Sequence, residues 1–111
     1  MSVTAAKGFV AAGVHCGLRK NGKRDLSLVR SLMPATGTAM FTTNRFLAAP
    51  VVVSREHLDL AQPQAVVANS GVANAATGEQ GIADARATAV ETARLLGLEQ
   101  TLGLRLAGVL V

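Results

Sequence analysis

One stretch, residues 64–81 (QAVVANSGVANAATGEQG), constrains the fold of this chain more than any other. It begins with an apolar run that contains two β-branched valines, which suits a buried strand. Asparagine and glycine follow at close spacing, and these residue types end strands because they tolerate left-handed backbone conformations. Thr77 and Gln80 then have the spacing of a capping box, in which the threonine side chain accepts from the Gln80 amide. The stretch therefore predicts a strand, a polar turn and a helix N-terminus in succession.

The polar turn is the first candidate for a functional site. Free N–H groups at a helix N-terminus beside a strand end can bind a carboxylate, a phosphate or a developing oxyanion. Asn69, Ser70 and Asn74 can hydrogen-bond a ligand there, or can equally satisfy the backbone of the turn. Arg45, next to two threonines, is a further substrate-binding candidate because a guanidinium can clamp a carboxylate. The alternative for Arg45 is a polar strand end.

The half of the chain before this stretch has the pattern of strands and hairpins. Residues 7–18 carry spaced apolar side chains among three glycines, which argues against a helix and for a strand. Asn21-Gly22 is the two-residue hairpin signal, and residues 25–32 alternate polar and apolar side chains as a returning strand does. Further strands are predicted at residues 36–43 and, as a short buried run, at 51–53. Ser54 is the predicted N-cap of a short helix over residues 55–60.

The half after the stretch predicts one covering helix and a final strand. Apolar residues recur at helical spacing from residue 82 to residue 96, and Gly97 supplies a stop. The alanine-rich face of this helix should pack closely on a sheet. Residues 105–111 are predicted as a strand, and the sequence ends inside that apolar run. We therefore expect an α/β fold, a layered sheet with covering helices, in which residues 1–111 form a single incomplete domain at the N-terminal end of a longer protein.

Net charge and composition limit the kinds of partner that this chain is expected to bind. The net charge of +4 is concentrated in a basic run at residues 19–24, and the chain has three aromatic residues in total. Nucleic-acid binding would require stacking aromatics or further basic residues on the same element, so a solvated hairpin tip is the favoured interpretation. No segment resembles a secretory signal or approaches the roughly 20 apolar residues of a membrane span. With a single cysteine, no internal disulfide can form, which predicts a reduced, cytoplasmic setting. Charge and hydropathy together predict neither nucleic acid nor membrane as a partner.

Histidine and cysteine give no catalytic or metal site. His15 and Cys16 are adjacent, so on a strand they point to opposite faces and cannot act as base and nucleophile together. His57 is distant in sequence, on a predicted surface helix. The residues taken by themselves therefore predict no catalytic group, no metal and no cofactor.

Seven segments together resemble the ornithine acetyltransferase family, also called glutamate N-acetyltransferase. They occur in the family's order across nearly the whole chain: KGF at 7–9, AAGV at 11–14, DLSL at 25–28, FTTN at 41–44, AAPV at 48–51, SREHL at 54–58 and NSGVANAATGEQG at 69–81. Two positions of the last segment depart from the family pattern. Val72 stands where asparagine is usual and Ala76 where cysteine is frequent, which removes polar groups from the turn.

The resemblance implies an acyltransferase of arginine biosynthesis. Members move an acetyl group from N2-acetylornithine to glutamate, and some also use acetyl-CoA. They are made as one precursor that cuts itself ahead of a threonine, which then serves as the nucleophile. The α and β chains that result stay together, typically as an α2β2 assembly.

The same resemblance places the family's catalytic residues outside this sequence. Its oxyanion-stabilising STG segment follows a strand like residues 105–111, and its ATML segment contains the nucleophile; neither occurs here. This chain is thus expected to be the N-terminal part of the α chain, inactive alone. Two alternatives stay open: a related self-cleaving amide hydrolase, and a non-catalytic fragment that packs against a partner chain.

Overall fold

A single mixed sheet carries the two main helices of the chain in a computed structural model that describes residues 2–60, 62–72, 74–75, 77–98 and 109–110. After a 3-10 turn at Val3–Ala5, the elements in chain order are β1 (Phe9–Val14), β2 (Leu26–Ser31), α1 (Ala49–Leu60), β3 (Ala65–Asn69), α2 (Gly78–Leu95) and β4 (Val109–Leu110). The described strands lie in the order β1-β2-β3-β4. Strand β2 runs antiparallel to both of its neighbours, β1 and β3, and β4 runs parallel to β3. The predicted α/β layered fold is confirmed.

The hairpin of β1 and β2 is confirmed, but its connection is longer than a two-residue turn. The paired strands end at Val14 and Leu26, so residues 15–25 form the loop between them, which we call the β1–β2 loop. Asn21 and Gly22 have φ values of 65° and 66°, as the predicted turn requires. The strands stop well before this turn because Asp25, described below, binds the loop backbone in another way.

The valine run at residues 51–53 is helical, and the prediction of a short strand there was wrong. Helix α1 begins at Ala49, includes Pro50 in its first turn and continues to Leu60. Ser54, the predicted N-cap, lies inside the helix and is buried with Val53 and His57. Proline is tolerated in a first helical turn, and burial of this face between α2 and the sheet outweighs the weak preference of valine for strands.

Helix α2 covers the predicted residues, but the capping box does not form. Thr77 occupies the N-cap position without a side-chain cap, and its hydroxyl donates to Asn74 Oδ1 instead. The side-chain Nε2 of Gln80 donates to Asp84 Oδ1 at 2.8 Å. Both side chains of the expected box thus have other partners, and Gly78, at φ 64°, opens the helix.

The glycine stop of α2 is confirmed in detail. The amide of Gly97, at φ 67°, donates to the carbonyl of Arg94 at 3.1 Å, and the amide of Leu98 donates to Ala93 at 2.9 Å. These two bonds are those of a Schellman motif, in which glycine supplies the left-handed residue. The stop lies where the apolar periodicity ends.

The core is thin and built from small side chains. Its buried apolar members come from α1, β3 and α2: Ala49, Val53, Ala65, Val67, Ala85, Ala89 and Ala93. On β3 the buried residues alternate with the exposed Val66 and Ala68, so the helices cover one face of the sheet. Alanine on α2 allows the helix backbone to approach the strands closely, as the sequence predicted.

Two predicted segments differ from the structure or extend beyond it. Residues 36–43 form no strand; the Gly37 amide instead donates to the Gln62 side chain at 2.9 Å, and the Arg55 guanidinium lies 5.0 Å from the centre of the Phe41 ring. These side chains, rather than a neighbouring strand, hold the segment. Strand β4 falls within the predicted strand at 105–111, of which residues 105–108 and 111 lie outside the described residues.

Candidate functional site

The polar turn, of which residues 69–72, 74–75 and 77 are described, meets the β1–β2 loop at one end of the sheet. The amide of Ser70 donates to the carbonyl of Asp25 at 2.8 Å, directly beyond the last pair of the β2–β3 ladder. Gly71 follows at φ 102°, so close to Leu18 that a Cβ there would lie 3.0 Å from the Leu18 carbonyl oxygen. The two segments are therefore in backbone contact, and this junction is the candidate site.

Asp25 organises the loop side of the junction. Its side chain is buried, and its two carboxylate oxygens accept from the amides of Cys16 at 2.7 Å and Arg19 at 2.8 Å. These backbone bonds stabilise the charged form and hold the pKa of Asp25 well below its usual range, while burial acts in the opposite direction. The carboxylate is thus an ionised acceptor that fixes residues 16–19 in place.

His15 and Cys16 both contact this carboxylate. They lie in the loop rather than on a strand, so the prediction that they face opposite ways was wrong. His15 Nδ1 is 2.9 Å from the Lys23 carbonyl oxygen, to which it donates, and 3.4 Å from Asp25 Oδ2. A hydrogen bond to Asp25 raises the pKa of the Cys16 thiol, and partial desolvation and the charge of Asp25 add to the effect. Cys16 is therefore held as a thiol, which is unsuited to nucleophilic attack.

A cleft of about 270 Å³ opens at the junction. Its polar lining includes the predicted candidates Asn69 and Ser70 together with Arg24 and Asp25. Sequence reasoning missed Arg24 as a site residue, although it belongs to the basic run at 19–24 that was interpreted as a solvated tip. The cleft thus combines a guanidinium, an amide and a hydroxyl with the Asp25 carboxylate, and this set can hold a strongly polar group.

The other two predicted residues lie elsewhere. Asn74 donates from Nδ2 to the Gly81 carbonyl at 2.8 Å, which ties the polar turn to the first turn of α2. Arg45 is exposed in the segment between β2 and α1 and does not line the cleft. Asn69 donates to the Val72 carbonyl at 3.4 Å, so two of the three amide and hydroxyl candidates support the turn itself. Ala76, one of the two departures from the family pattern, lies outside the described residues.

Helix α1 carries His57 in a buried position, not on a solvated surface as the sequence suggested. It shares the buried face of the helix with Val53 and Ser54. Among the described residues, no group of three or more histidine, cysteine, aspartate or glutamate side chains is placed to hold a metal ion. The described helices also include none that is long and apolar enough to cross a membrane.

Fold and site together define an α/β layer in which a loop between antiparallel strands and a strand-to-helix turn form one polar cleft. The profile of the ArgJ family matches residues 10–109. The chain belongs to the ArgJ family. The predicted resemblance is thereby confirmed, since the relatives described next are arginine biosynthesis proteins.

Two arginine biosynthesis bifunctional proteins illustrate the similarity. The protein of Bacillus licheniformis is 47% identical over 102 residues, which is 91% of this chain and 25% of the relative. That of Streptomyces coelicolor is 50% identical over 98 residues, 87% of this chain and 26% of the relative. The chain therefore spans about a quarter of the length of these relatives.

Two solved structures share the fold. The arginine biosynthesis bifunctional protein of Bacillus halodurans superposes with a TM-score of 0.88 at 35% identity, covering 100% of this chain and 55% of its own. The ornithine acetyltransferase of Mycobacterium tuberculosis, solved in complex with ornithine, gives a TM-score of 0.85 at 42% identity, covering 98% of this chain and 56% of its own.

Proposed function

We propose that this chain is the N-terminal portion of the α chain of an acetyltransferase of arginine biosynthesis. The whole protein transfers an acetyl group from N2-acetylornithine to glutamate. The observation that supports this most is the likeness to the Mycobacterium tuberculosis ornithine acetyltransferase, at 42% identity over 98% of the chain. The family's STG and ATML segments are absent from the 111 residues, so the threonine nucleophile is supplied by sequence beyond them.

In this proposal the described residues support the site and line its cleft, and they take no part in the bond-making steps. Asp25 and Ser70 join the β1–β2 loop to the polar turn, and Arg24, Asn69 and Ser70 line a cleft, beside the Asp25 carboxylate, that suits a strongly polar group. Arg45 and Asn74, the other sequence candidates, stay proposals for substrate contact. The β chain of the same precursor completes an α2β2 assembly in the cytoplasm.

A chimera tests the proposal directly. The matched segment of the Streptomyces coelicolor relative, 50% identical over 98 residues, is replaced by this chain, and ornithine release from N2-acetylornithine is followed with and without glutamate. We expect self-cleavage into two chains and glutamate-dependent transfer, whereas the isolated 111-residue chain shows none. A folded, cleaved chimera without transfer would contradict the proposal, provided that the unmodified relative is active in the same assay.

The alternatives predict different results. A self-cleaving amide hydrolase would release ornithine at the same rate whether or not glutamate is present. A fragment that only packs against a partner is favoured by one observation: every residue of β1 is exposed, including Phe9, Val10 and Val14. Such a fragment would bind the remainder of the protein without restoring transfer.

A further inference from the structure

Arg30 lies on the covered face of the sheet without a partner. In β2 it is directly paired with Val10 on one side and with Ala65 on the other. Directly paired residues share a face of a sheet, and Ala65 is buried beneath the helices, so the Arg30 side chain points to that same face. Its Nε is buried and forms no hydrogen bond. Among the described residues this is the one buried side-chain nitrogen or oxygen without a partner.

Arg30 as a whole is half-buried, but its buried Nε without a hydrogen bond needs a physical explanation. The guanidinium stays positively charged, because arginine does not lose its proton in proteins. Buried polar atoms such as this Nε are normally hydrogen-bonded, since their removal from water is otherwise unfavourable. The apolar Val10 and Ala65 on either side offer no acceptor atoms in their side chains.

The acidic side chains with resolved contacts are occupied elsewhere. The ion pairs among the described residues are His15 with Asp25, Arg86 with Glu56 and Arg94 with Glu91, and none includes Arg30. The polar groups of Ser31 and Gln64, at the end of this strand pair, also bind one another. The Ser31 amide donates to the Gln64 carbonyl at 2.8 Å, and Gln64 Nε2 donates to the Ser31 carbonyl at 3.2 Å. The described part of the chain therefore provides no anion for Arg30.

We propose that Arg30 is a binding residue for a carboxylate supplied from outside this chain. In the planar guanidinium Nε and one Nη lie side by side, and this fork matches the two oxygens of a carboxylate once the ligand reaches Nε. A single cation between apolar neighbours suits a singly charged, planar anion better than a phosphate, which would require further donors. This inference goes beyond the proposed function and does not depend on it. The carboxylate comes either from a free amino acid or from an aspartate or glutamate of another polypeptide segment.

Side-chain NMR of the 111-residue chain tests the proposal. Sodium acetate is titrated against ¹⁵N-labelled protein while sodium chloride keeps the ionic strength constant, and the Arg30 Nε–Hε signal is followed. We expect a saturable shift of this signal, with no comparable shift for Arg86, which is already paired with Glu56. If Arg30 responds no differently from Arg86, or responds equally to chloride alone, the proposal is overturned.

Matched variants separate the contribution of the guanidinium fork to acetate affinity from that of the positive charge. Arg30→Lys keeps the positive charge but lacks the fork, so we expect acetate affinity to fall by about tenfold or more. Arg30→Met should abolish the response, and Arg86→Met should leave it unchanged. Unchanged affinity in Arg30→Lys would contradict the bidentate fork, and the wild-type titration decides the proposal if Arg30→Met does not fold.

A second ligand distinguishes the two possible sources of the carboxylate, a free amino acid and an acidic side chain of another polypeptide segment. If glutamate binds at Arg30 about tenfold more tightly than acetate, the site recognises a free amino acid. If the two bind equally, the carboxylate group alone is recognised, as expected for an acidic side chain of another polypeptide segment. Both results support the proposal, whereas the absence of a saturable Arg30 response to either ligand excludes it.

Discussion

The amide of Ser70 donates a 2.8 Å hydrogen bond to the carbonyl of Asp25, although the two residues are far apart in sequence. Asp25 in turn binds the loop through its side chain, at the amides of Cys16 and Arg19. One residue therefore connects the β1–β2 loop to the polar turn, with its backbone on one side and its carboxylate on the other. The candidate cleft lies at this connection.

Replacement of Asp25 by asparagine should destabilise the chain in a pH-dependent way. The folded-state pKa of Asp25 is lowered, so the stability it contributes is present above the unfolded-state value of about 4 and is lost as the pH falls through the lower folded value. We expect Asp25→Asn to unfold at lower urea concentration than wild type at pH 7. The difference should shrink below about pH 4. A difference that stays constant down to pH 2 would show that the ionised carboxylate is not the cause.

Gly71→Ala should lower the free energy of unfolding by more than Gly22→Ala does. Both glycines have positive φ, at 102° and 66°, so each substitution carries a backbone cost of about 1–2 kcal/mol. At Gly71 the new Cβ would also lie 2.7 Å from Arg19 Cγ and 3.0 Å from the Leu18 carbonyl oxygen, whereas nothing lies within 4 Å at Gly22. Urea unfolding of both variants measures the difference. Equal losses would mean that the loop and the turn are not in close contact.

Enlarging the alanine face of α2 should destabilise the fold. Ala89 is 0% exposed, so Ala89→Leu inserts three carbon atoms into a closely packed layer at a cost of about 1–3 kcal/mol. Ala87, exposed on the same helix, is the matched control, and Ala87→Leu should change stability by less than about 0.5 kcal/mol. Thermal unfolding of both variants distinguishes them. A tolerated Ala89→Leu would contradict the close approach of α2 to the strands.

Cys16 should react slowly for an exposed cysteine. Its thiol pKa is raised, first by the hydrogen bond to Asp25, so a smaller fraction is thiolate at any given pH. We expect iodoacetamide to alkylate the folded chain at pH 8 more slowly than the same chain in urea. Since Cys16 is the single cysteine, mass spectrometry reports its rate directly. Equal rates in both states would exclude a specific effect of Asp25.

Much of the fold could be predicted because it depends on local pattern. The alternation of polar and apolar residues predicted β2, and the 3.6-residue period of apolar residues predicted α2. Gly97 predicted the end of that helix. The resemblance identified the family from residues spread along the whole chain. Of the site, Asn69 and Ser70 were found because turn-forming residue types stand directly after an apolar strand.

The errors arose where distant contacts outweigh local preference. Residues 51–53 are β-branched, but they lie in a helix because Val53 is fully buried against the rest of the core there. Thr77 and Gln80 have the capping-box spacing, yet both side chains bind other partners. Arg24 joins the cleft only because the β1–β2 loop folds back toward β3.

By itself the sequence determined the family, the antiparallel hairpin, the strand and helix on either side of the polar turn, and the thin alanine-rich core. The family was identified by the resemblance of segments along the chain. The hairpin, the strand, the helix and the core follow from periodicity and residue type, which act over a few neighbouring residues. Only the tertiary structure decided that Asp25 joins the loop to the turn, that His57 is buried, and that Arg30 faces the covered side of the sheet without a partner. Such relationships depend on backbone contacts between segments distant in the chain, which no local pattern encodes.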